Sequence, residues 1–85
     1  MAERLSREDV LIRIREIVAG VVRNPKLSLE EATTADQVAG WDSLTHIQII
    51  VAVEKAFKVR LKASEVAQLS NVGSLIDIVV ARRAV

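Results

Sequence analysis

Aliphatic side chains recur at helical spacing in several segments of this chain, and this recurrence most constrains its fold. In the first segment the apolar residues are Val10, Ile14, Ile17, Val18, Val21 and Val22. Spacings of three and four residues place such side chains on one face of an α-helix, where they can pack against a core. No stretch alternates apolar and polar residues over a useful length. The sequence therefore predicts an all-α fold.

Capping and breaking residues bound the first predicted helix. Ser6 and Asp9 have the spacing of a capping box at its start. Asn24-Pro25 ends it, because proline cannot continue a helix and restricts the residue before it. The segment 26–40 then forms a long loop, with a short helical turn expected near Asp36 to Val38. A loop of this length in a compact domain usually has a function or some structure of its own.

The remaining helices follow from similar signals. A second helix is predicted to begin at Asp42 or Ser43 and to run to about Phe57. An extended link leads from there to a short helix over 64–69, with Ser64 or Ala63 near its start, and Asn71 caps a last helix ending near 82–83. We expect a small four-helix bundle of three longer helices and one short one, with the long loop between the first two helices. The whole chain, 1–85, is predicted to be a single domain.

Charge and composition exclude several classes of function. Twelve basic and eleven acidic residues are dispersed along the chain, whereas a nucleic-acid-binding surface needs clustered cations. The chain has no cysteine and a single histidine, which argues against a metal site. Its longest nearly apolar run, 47–53, is far short of the roughly 20 residues that span a bilayer. With a charged N-terminal segment and no signal-peptide pattern, we expect a cytoplasmic monomer.

The second helix carries two apolar stripes. The larger stripe is the predicted core face, and it consists of Ile49, Ile50, Val53, Ala56 and Phe57. Leu44, Ile47 and Val51 form a smaller stripe on a separate face. A surface helix needs only one apolar face. The smaller stripe either packs against the third helix or the long loop, or it is a docking strip for partner proteins.

Ser43, at the start of the second helix, has three interpretations. As a nucleophile it would need a base, and His46 is the only histidine. The sequence lacks a Gly-x-Ser-x-Gly elbow, and so small a domain encloses little volume, so we expect no enzyme and a solvated His46. As a plain helix cap, Asp42-Ser43 suits the position. As an exposed attachment point, the hydroxyl would carry a phosphate ester that the helix N-terminus stabilises.

A family resemblance favours the third interpretation. The segments GWDSLTHIQIIVAVEKAFKVRL and SNVGSLIDIV resemble the acyl carrier proteins and the related peptidyl carrier domains. In this family a Gly-x-Asp-Ser-Leu motif opens the second helix, and its serine carries a 4′-phosphopantetheine arm that a separate transferase takes from coenzyme A. The resemblance implies that Ser43 is the attachment residue and that Asp42 supports the motif. It extends over nearly the whole chain and implies a carrier on which other enzymes act.

The resemblance also implies a partner-facing surface. Its apolar positions are Leu44, Ile47 and Val51, and its polar positions are Gln48, Glu54 and Lys55. The implied partners are a phosphopantetheinyl transferase and enzymes that activate or transfer acyl groups held on the arm as thioesters. A peptidyl or aminoacyl carrier is one alternative, and an unmodified helical interaction module is another.

Charge departs from the family pattern. Carriers of fatty acid synthesis are typically strongly acidic, whereas this chain has a net charge of +1. Thr45, Gln48, Lys55 and Ala56 occupy positions where acids are common. Since charge complementarity largely sets encounter rate and partner choice, we expect a specialised stand-alone carrier rather than the housekeeping one. Trp41 is an unusual residue at the position just before Asp42. We expect it to anchor the end of the loop. Alternatively, it contacts a partner or covers the arm.

Overall fold

Four helices form the fold in the computed structural model, which describes residues 6–83. They are α1 (Arg7–Val22), α2 (Ser43–Phe57), α3 (Ala63–Ala67) and α4 (Val72–Arg83), with a 3₁₀ turn at Ala35–Gln37 between α1 and α2. No strand occurs within the described residues. The all-α prediction of three longer helices, one short helix and a long first loop is confirmed.

Helix ends lie close to the predicted positions. Ser6 caps α1, and its Oγ accepts a hydrogen bond from the backbone N–H of Asp9 at 3.1 Å. The helix ends at Val22, just before the predicted Asn24-Pro25 stop, because Arg23 adopts a left-handed conformation with φ 60°. That conformation turns the chain out of the helix before the proline is reached.

Two short elements lie close to their predicted positions. The turn expected near Asp36 to Val38 is the 3₁₀ turn at Ala35–Gln37, one residue earlier. The helix expected over 64–69, with Ser64 or Ala63 near its start, is α3, which begins at Ala63 and ends at Ala67. Its start is set by Glu65, whose Oε1 accepts the backbone N–H of Lys62 at 2.9 Å. This capping carboxylate three residues after Lys62 fixes the start of α3 at Ala63, the earlier of the two predicted positions.

Helix α1 packs against both α2 and α4, and the core lies between them. Its fully buried side chains are Val10, Ile14, Val18, Ile49, Val53, Val72, Leu75, Ile76 and Val79. The core is completed by further buried residues of α2, of the segment that follows it and of the long loop: Ile50, Phe57, Val59, Leu29 and Val38. Burying each such side chain stabilises the fold by roughly 1.5–3 kcal/mol.

An ion-pair cluster fixes the long loop to α1 and α4. Arg7 donates to Oε1 of Glu31 at 2.6 Å and to Oδ1 of Asp77 at 2.5 Å. The Arg7 hydrogen bond lowers the pKa of Glu31 below its usual range. The backbone N–H of Gly73, in the first turn of α4, donates to the Glu31 carbonyl at 2.8 Å. The loop is therefore held in place well before it reaches α2.

A second ion pair fixes α3 to α4. The Arg82 guanidinium pairs with the Glu65 carboxylate and donates to the Arg60 carbonyl at 2.6 Å. The backbone N–H of Lys62, and then Arg82, lower the pKa of Glu65. Among the four described helices, none is long and apolar enough to cross a membrane.

Candidate functional site

The N-terminus of α2 is built around Asp42. As the N-cap residue, Asp42 accepts the backbone N–H groups of Leu44 and Thr45 on its Oδ1, each at 3.0 Å. The Thr45 backbone N–H is the largest cause of a lowered pKa for Asp42. The carboxylate thus satisfies two of the helix donors that would otherwise lack partners.

Thr45 completes the cap from the other side. Its hydroxyl accepts the backbone N–H of Asp42 at 2.8 Å and donates to the Gly40 carbonyl at 2.7 Å. This arrangement is a capping box in which threonine takes the place usually held by Glu or Gln. The second of these bonds also joins the end of the long loop to the first turn of α2.

Gly40 lets the loop enter the helix at this angle. Its φ is +90°, and a Cβ built there would lie 3.2 Å from Cβ of Val22. Both the left-handed backbone and the close approach to α1 require glycine. The backbone geometry therefore explains why the Gly-x-Asp-Ser-Leu motif begins with glycine.

Ser43 is the first residue of α2, and its side chain is exposed. Asp42 and Thr45 supply the cap, so the Ser43 hydroxyl is not needed to start the helix. Within residues 6–83, no hydrogen bond engages this hydroxyl. Of the two cap residues that the sequence suggested, Asp42 performs the capping and Ser43 presents a hydroxyl to solvent.

The histidine beside Ser43 is not a solvated residue as expected. Nε1 of Trp41 donates to Nδ1 of His46 at 3.0 Å, and both side chains are half-buried. A neutral imidazole that accepts at Nδ1 carries its proton on Nε2. Neither nitrogen of His46 is then free to take a proton from Ser43, so the pair lacks the base that a serine nucleophile needs.

Trp41 anchors the end of the long loop, as expected. Its ring packs against the hydrophobic core, and its backbone N–H donates to the Val38 carbonyl at 3.1 Å. The expectation was correct because a large apolar ring between a glycine and a helix cap gains most by turning inward.

A groove begins at Ser43 and follows the Trp41–His46 pair. Its outer part is an open depression lined by Ala35, Asp36, Trp41, Asp42, Ser43 and His46. The same aromatic pair borders a smaller cavity of about 50 Å³, which is also lined by Leu69, Val72 and Leu75. Ser70 and Asn71 also line this cavity, so both parts of the groove combine polar and apolar side chains.

The smaller apolar stripe of α2 faces solvent. The exposed fractions are 67% for Leu44, 62% for Ile47 and 42% for Val51, whereas Ile49 on the core face is fully buried. These values exclude the alternative in which the stripe packs against the third helix or the long loop. We call Leu44, Ile47 and Val51 the docking strip, after the role that the sequence predicts for them. Gln48 and Lys55 beside it are also exposed.

Glu54 differs from the other predicted partner residues. It is half-buried, and its Oε2 accepts the backbone N–H of Leu61 at 2.9 Å. One carboxylate oxygen is thereby committed to the link between α2 and α3. A partner contact through Glu54 stays a prediction, and its structural role was not foreseen.

Sequence reasoning also missed the roles of Thr45 and His46. The spacing of Asp42 and Thr45 is that of a capping box, which was a signal for the first role. No local signal connects Trp41 to His46, because one residue lies in the loop and the other in the helix. Within residues 6–83, no three His, Asp or Glu side chains converge to hold a metal ion.

Comparison with known proteins gives consistent matches. The family described as phosphopantetheine attachment site matches residues 13–79. An acyl carrier protein from Acidothermus cellulolyticus is 32% identical over 73 residues, covering 86% of this chain and 87% of that protein. The mitochondrial acyl carrier protein of Neurospora crassa is 25% identical over 80 residues, covering 92% of this chain and 59% of that protein.

A solved structure matches the fold as well. The solution NMR structure of holo acyl carrier protein from Geobacter metallireducens superposes with a TM-score of 0.81 at 32% identity. The match covers 88% of this chain and 86% of that chain. Sequence and fold therefore agree on one family.

Proposed function

This chain belongs to the acyl carrier protein family, whose cofactor is phosphopantetheine, and on that premise we propose that Ser43 carries the 4′-phosphopantetheine arm. The observation that supports this assignment most strongly is the free hydroxyl of Ser43 at the first position of α2. Since Asp42 performs the capping, a cap alone does not account for a serine at this position.

The surroundings of Ser43 fit a phosphate ester. The residue stands at the positive end of the α2 dipole, which favours a negatively charged group. Its exposure leaves room for a transferase to reach the hydroxyl. When attached, the arm supplies a thiol that holds an acyl group as a thioester, while Ser43 provides the tether and the rest of the domain provides recognition.

Partner enzymes dock on α2 in this proposal. Leu44, Ile47 and Val51 present an exposed apolar surface that begins directly after Ser43. Gln48 and Lys55 lie beside it and supply polar contacts. A partner that covers the strip places Ser43 at the edge of its own active site, which raises the effective concentration of the acyl group there.

We also propose that this carrier serves dedicated enzymes rather than general fatty acid synthesis. The net charge of +1 supports this assignment, as does an α2 whose only acidic residue, Glu54, bonds to the link before α3. A basic partner surface would find little opposite charge on this helix.

An acyl-transfer experiment tests the carrier function. The protein is incubated with acetyl-coenzyme A and a promiscuous phosphopantetheinyl transferase, and then with neutral hydroxylamine, which cleaves thioesters. We expect the intact mass to rise by one acetyl-phosphopantetheine group and then to lose the acetyl group alone. An unmodified protein, or an acetyl group resistant to hydroxylamine, would favour the interaction module instead.

A further inference from the structure

We infer that the enzymes docking on this carrier present an acidic surface to the C-terminal half of α2. The inference rests on the proposed function in one respect, which is that partners dock along the strip next to Ser43. It goes further by assigning the chemistry of the partner surface.

The docking strip continues into a cation along the same helix face. Leu44, Ile47, Val51 and Lys55 follow one another within α2 in steps of three or four residues. Such positions fall within a sector of about 80° on an α-helix. The apolar strip and Lys55 therefore form one surface, apolar near Ser43 and positive at its far end, where Lys58 ends the helix in a left-handed conformation.

Four exposed cations make up this positive end, which we call the basic patch: Lys55, Lys58, Arg60 and Lys62. Val51 lines one open depression together with Glu54, Lys55, Lys58, Val59 and Arg60. The last residue of the docking strip thus shares a recess with three of the four cations and with one carboxylate. A ligand seated in that recess would contact apolar groups and a net positive charge together.

Within the described residues Lys55, Lys58 and Arg60 pair with no carboxylate, whereas the charge of Lys62 acts on Glu65 and helps to lower the pKa of that carboxylate. Among the ion pairs of residues 6–83, none involves the patch, whereas Arg7 and Arg82 each pair with carboxylates. Glu54 is the only acidic residue between Leu44 and Lys62, and its Oε2 bonds to the Leu61 backbone. Lys55, Lys58 and Arg60 are therefore available to an external anion.

The surface also has a polarity that would orient a partner. Asp42, at the Ser43 end, is negative, and the basic patch begins twelve residues after Ser43. At 1.5 Å per helical residue this separation is about 18 Å. The acidic groups of the partner should therefore lie about 18 Å from the mouth of the tunnel or cleft that receives the arm.

A protein partner fits this surface better than a nucleic acid or a membrane. The described aromatic side chains, Trp41 and Phe57, pack with the core and offer no stacking platform for bases. The apolar residues form a narrow strip along one helix face, which is the shape that a groove on a partner protein covers. Acidic residues around such a groove would complement the basic patch.

Two matched peptides test the inference. Both are 18-residue helical designs with the same leucine face. In the acidic peptide the other positions are alanine and glutamate, and in the basic peptide they are alanine and lysine. Each is titrated into ¹⁵N-labelled holo protein at low ionic strength, near 20 mM. We expect the acidic peptide to bind at least about tenfold more tightly, with the largest amide shifts between residues 44 and 62. Near 0.5 M salt the preference should fall below about twofold.

Two triple variants with the same charge change provide the control. Lys55→Glu/Lys58→Glu/Arg60→Glu should abolish or reverse the preference. Arg13→Glu/Arg23→Glu/Lys26→Glu changes exposed cations of α1 and the following loop, and it should retain the preference. Circular dichroism verifies that both variants are folded.

Several results would overturn the inference. These are equal binding of the two peptides, binding of neither, shifts outside residues 44–62, or equal effects of the two triple variants. Binding of phosphatidylglycerol vesicles that depends on Lys55, Lys58 and Arg60 would assign the patch to a lipid surface. The peptide preference should persist in unmodified Ser43→Ala, so failure of the arm assignment and failure of this inference are separate results.

Discussion

Nε1 of Trp41 donates a hydrogen bond to Nδ1 of His46 at 3.0 Å, and the two ring planes are inclined by 29° with their centroids 6.1 Å apart. The contact joins the last residues of the long loop to the second turn of α2. Ser43 lies on the chain between these two residues, so the segment that presents its hydroxyl is fixed on both sides. The chain thereby holds an exposed serine on a rigid support, as an attachment site requires.

The Trp41–His46 contact should be measurable as a coupling energy. Trp41→Phe and His46→Phe each remove one partner of a half-buried hydrogen bond, and each should reduce the free energy of unfolding by about 1 kcal/mol. The double variant should lose less than the sum of the two single losses. Urea denaturation followed by circular dichroism measures all three, and strictly additive losses would contradict the coupling.

Acid should weaken the cap of α2. Because hydrogen bonds from the folded protein lower the pKa of Asp42, its folded value lies below the unfolded value of about 3.9. The carboxylate therefore stabilises the fold at neutral pH, and this contribution is lost as the pH falls through the folded pKa. Asp42→Asn keeps an acceptor oxygen but cannot titrate.

Denaturant titrations between about pH 6 and pH 2 compare the two proteins across the range in which Asp42 titrates. The difference in unfolding free energy between wild type and Asp42→Asn should be constant above about pH 5 and should shrink as the pH falls below about 4. A difference that does not change with pH would show that the Asp42 charge contributes nothing to the cap.

Alanine substitutions at Gly40 and Gly20 should change the stability of the protein in opposite directions. Gly40→Ala forces a side chain into a φ of +90° and against Val22, so it should destabilise the protein by about 1–3 kcal/mol. Gly20 lies inside α1 with open space around its Cα, so Gly20→Ala should stabilise it by up to about 1 kcal/mol. Thermal melting of both variants provides the comparison, and equal shifts in one direction would refute it.

The docking strip should matter for recognition more than for folding. Leu44 is 67% exposed, so Leu44→Asp should change the free energy of unfolding by no more than about 0.5 kcal/mol. It should nevertheless slow the loading of Ser43 by a phosphopantetheinyl transferase. The fully buried Ile49 is the control, because Ile49→Ala should cost about 2–5 kcal/mol. A Leu44→Asp variant as unstable as Ile49→Ala would mean that the strip is buried in solution.

Much of this architecture could be predicted from the sequence because its signals are local. The apolar spacing of α1 and α2, and the capping residues Ser6 and Asn71, act within one or two turns of chain. The exposure of the docking strip could not be predicted. Whether Leu44 packs or faces solvent depends on where α3 and the long loop lie, which is a tertiary property.

Contacts between segments that are distant in sequence could not be predicted either. Arg7 meets Asp77 across 70 residues of sequence, and no local pattern connects them. The bond from Leu61 to Glu54 depends on the left-handed turn at Lys58, for which the chain does not use the usual glycine. Such contacts fix the loop and the α2–α3 link, and they explain why Glu54 has a structural role that its polar character did not reveal.

Site-resolved mass spectrometry after incubation with coenzyme A and a phosphopantetheinyl transferase tests the central claim most directly. Wild type and Ser28→Ala, which removes another exposed serine, should each gain the mass of one phosphopantetheine group, located on the peptide containing Ser43. Ser43→Ala should gain nothing. A modification that persists in Ser43→Ala, or a folded wild-type protein that accepts no arm, would contradict the account.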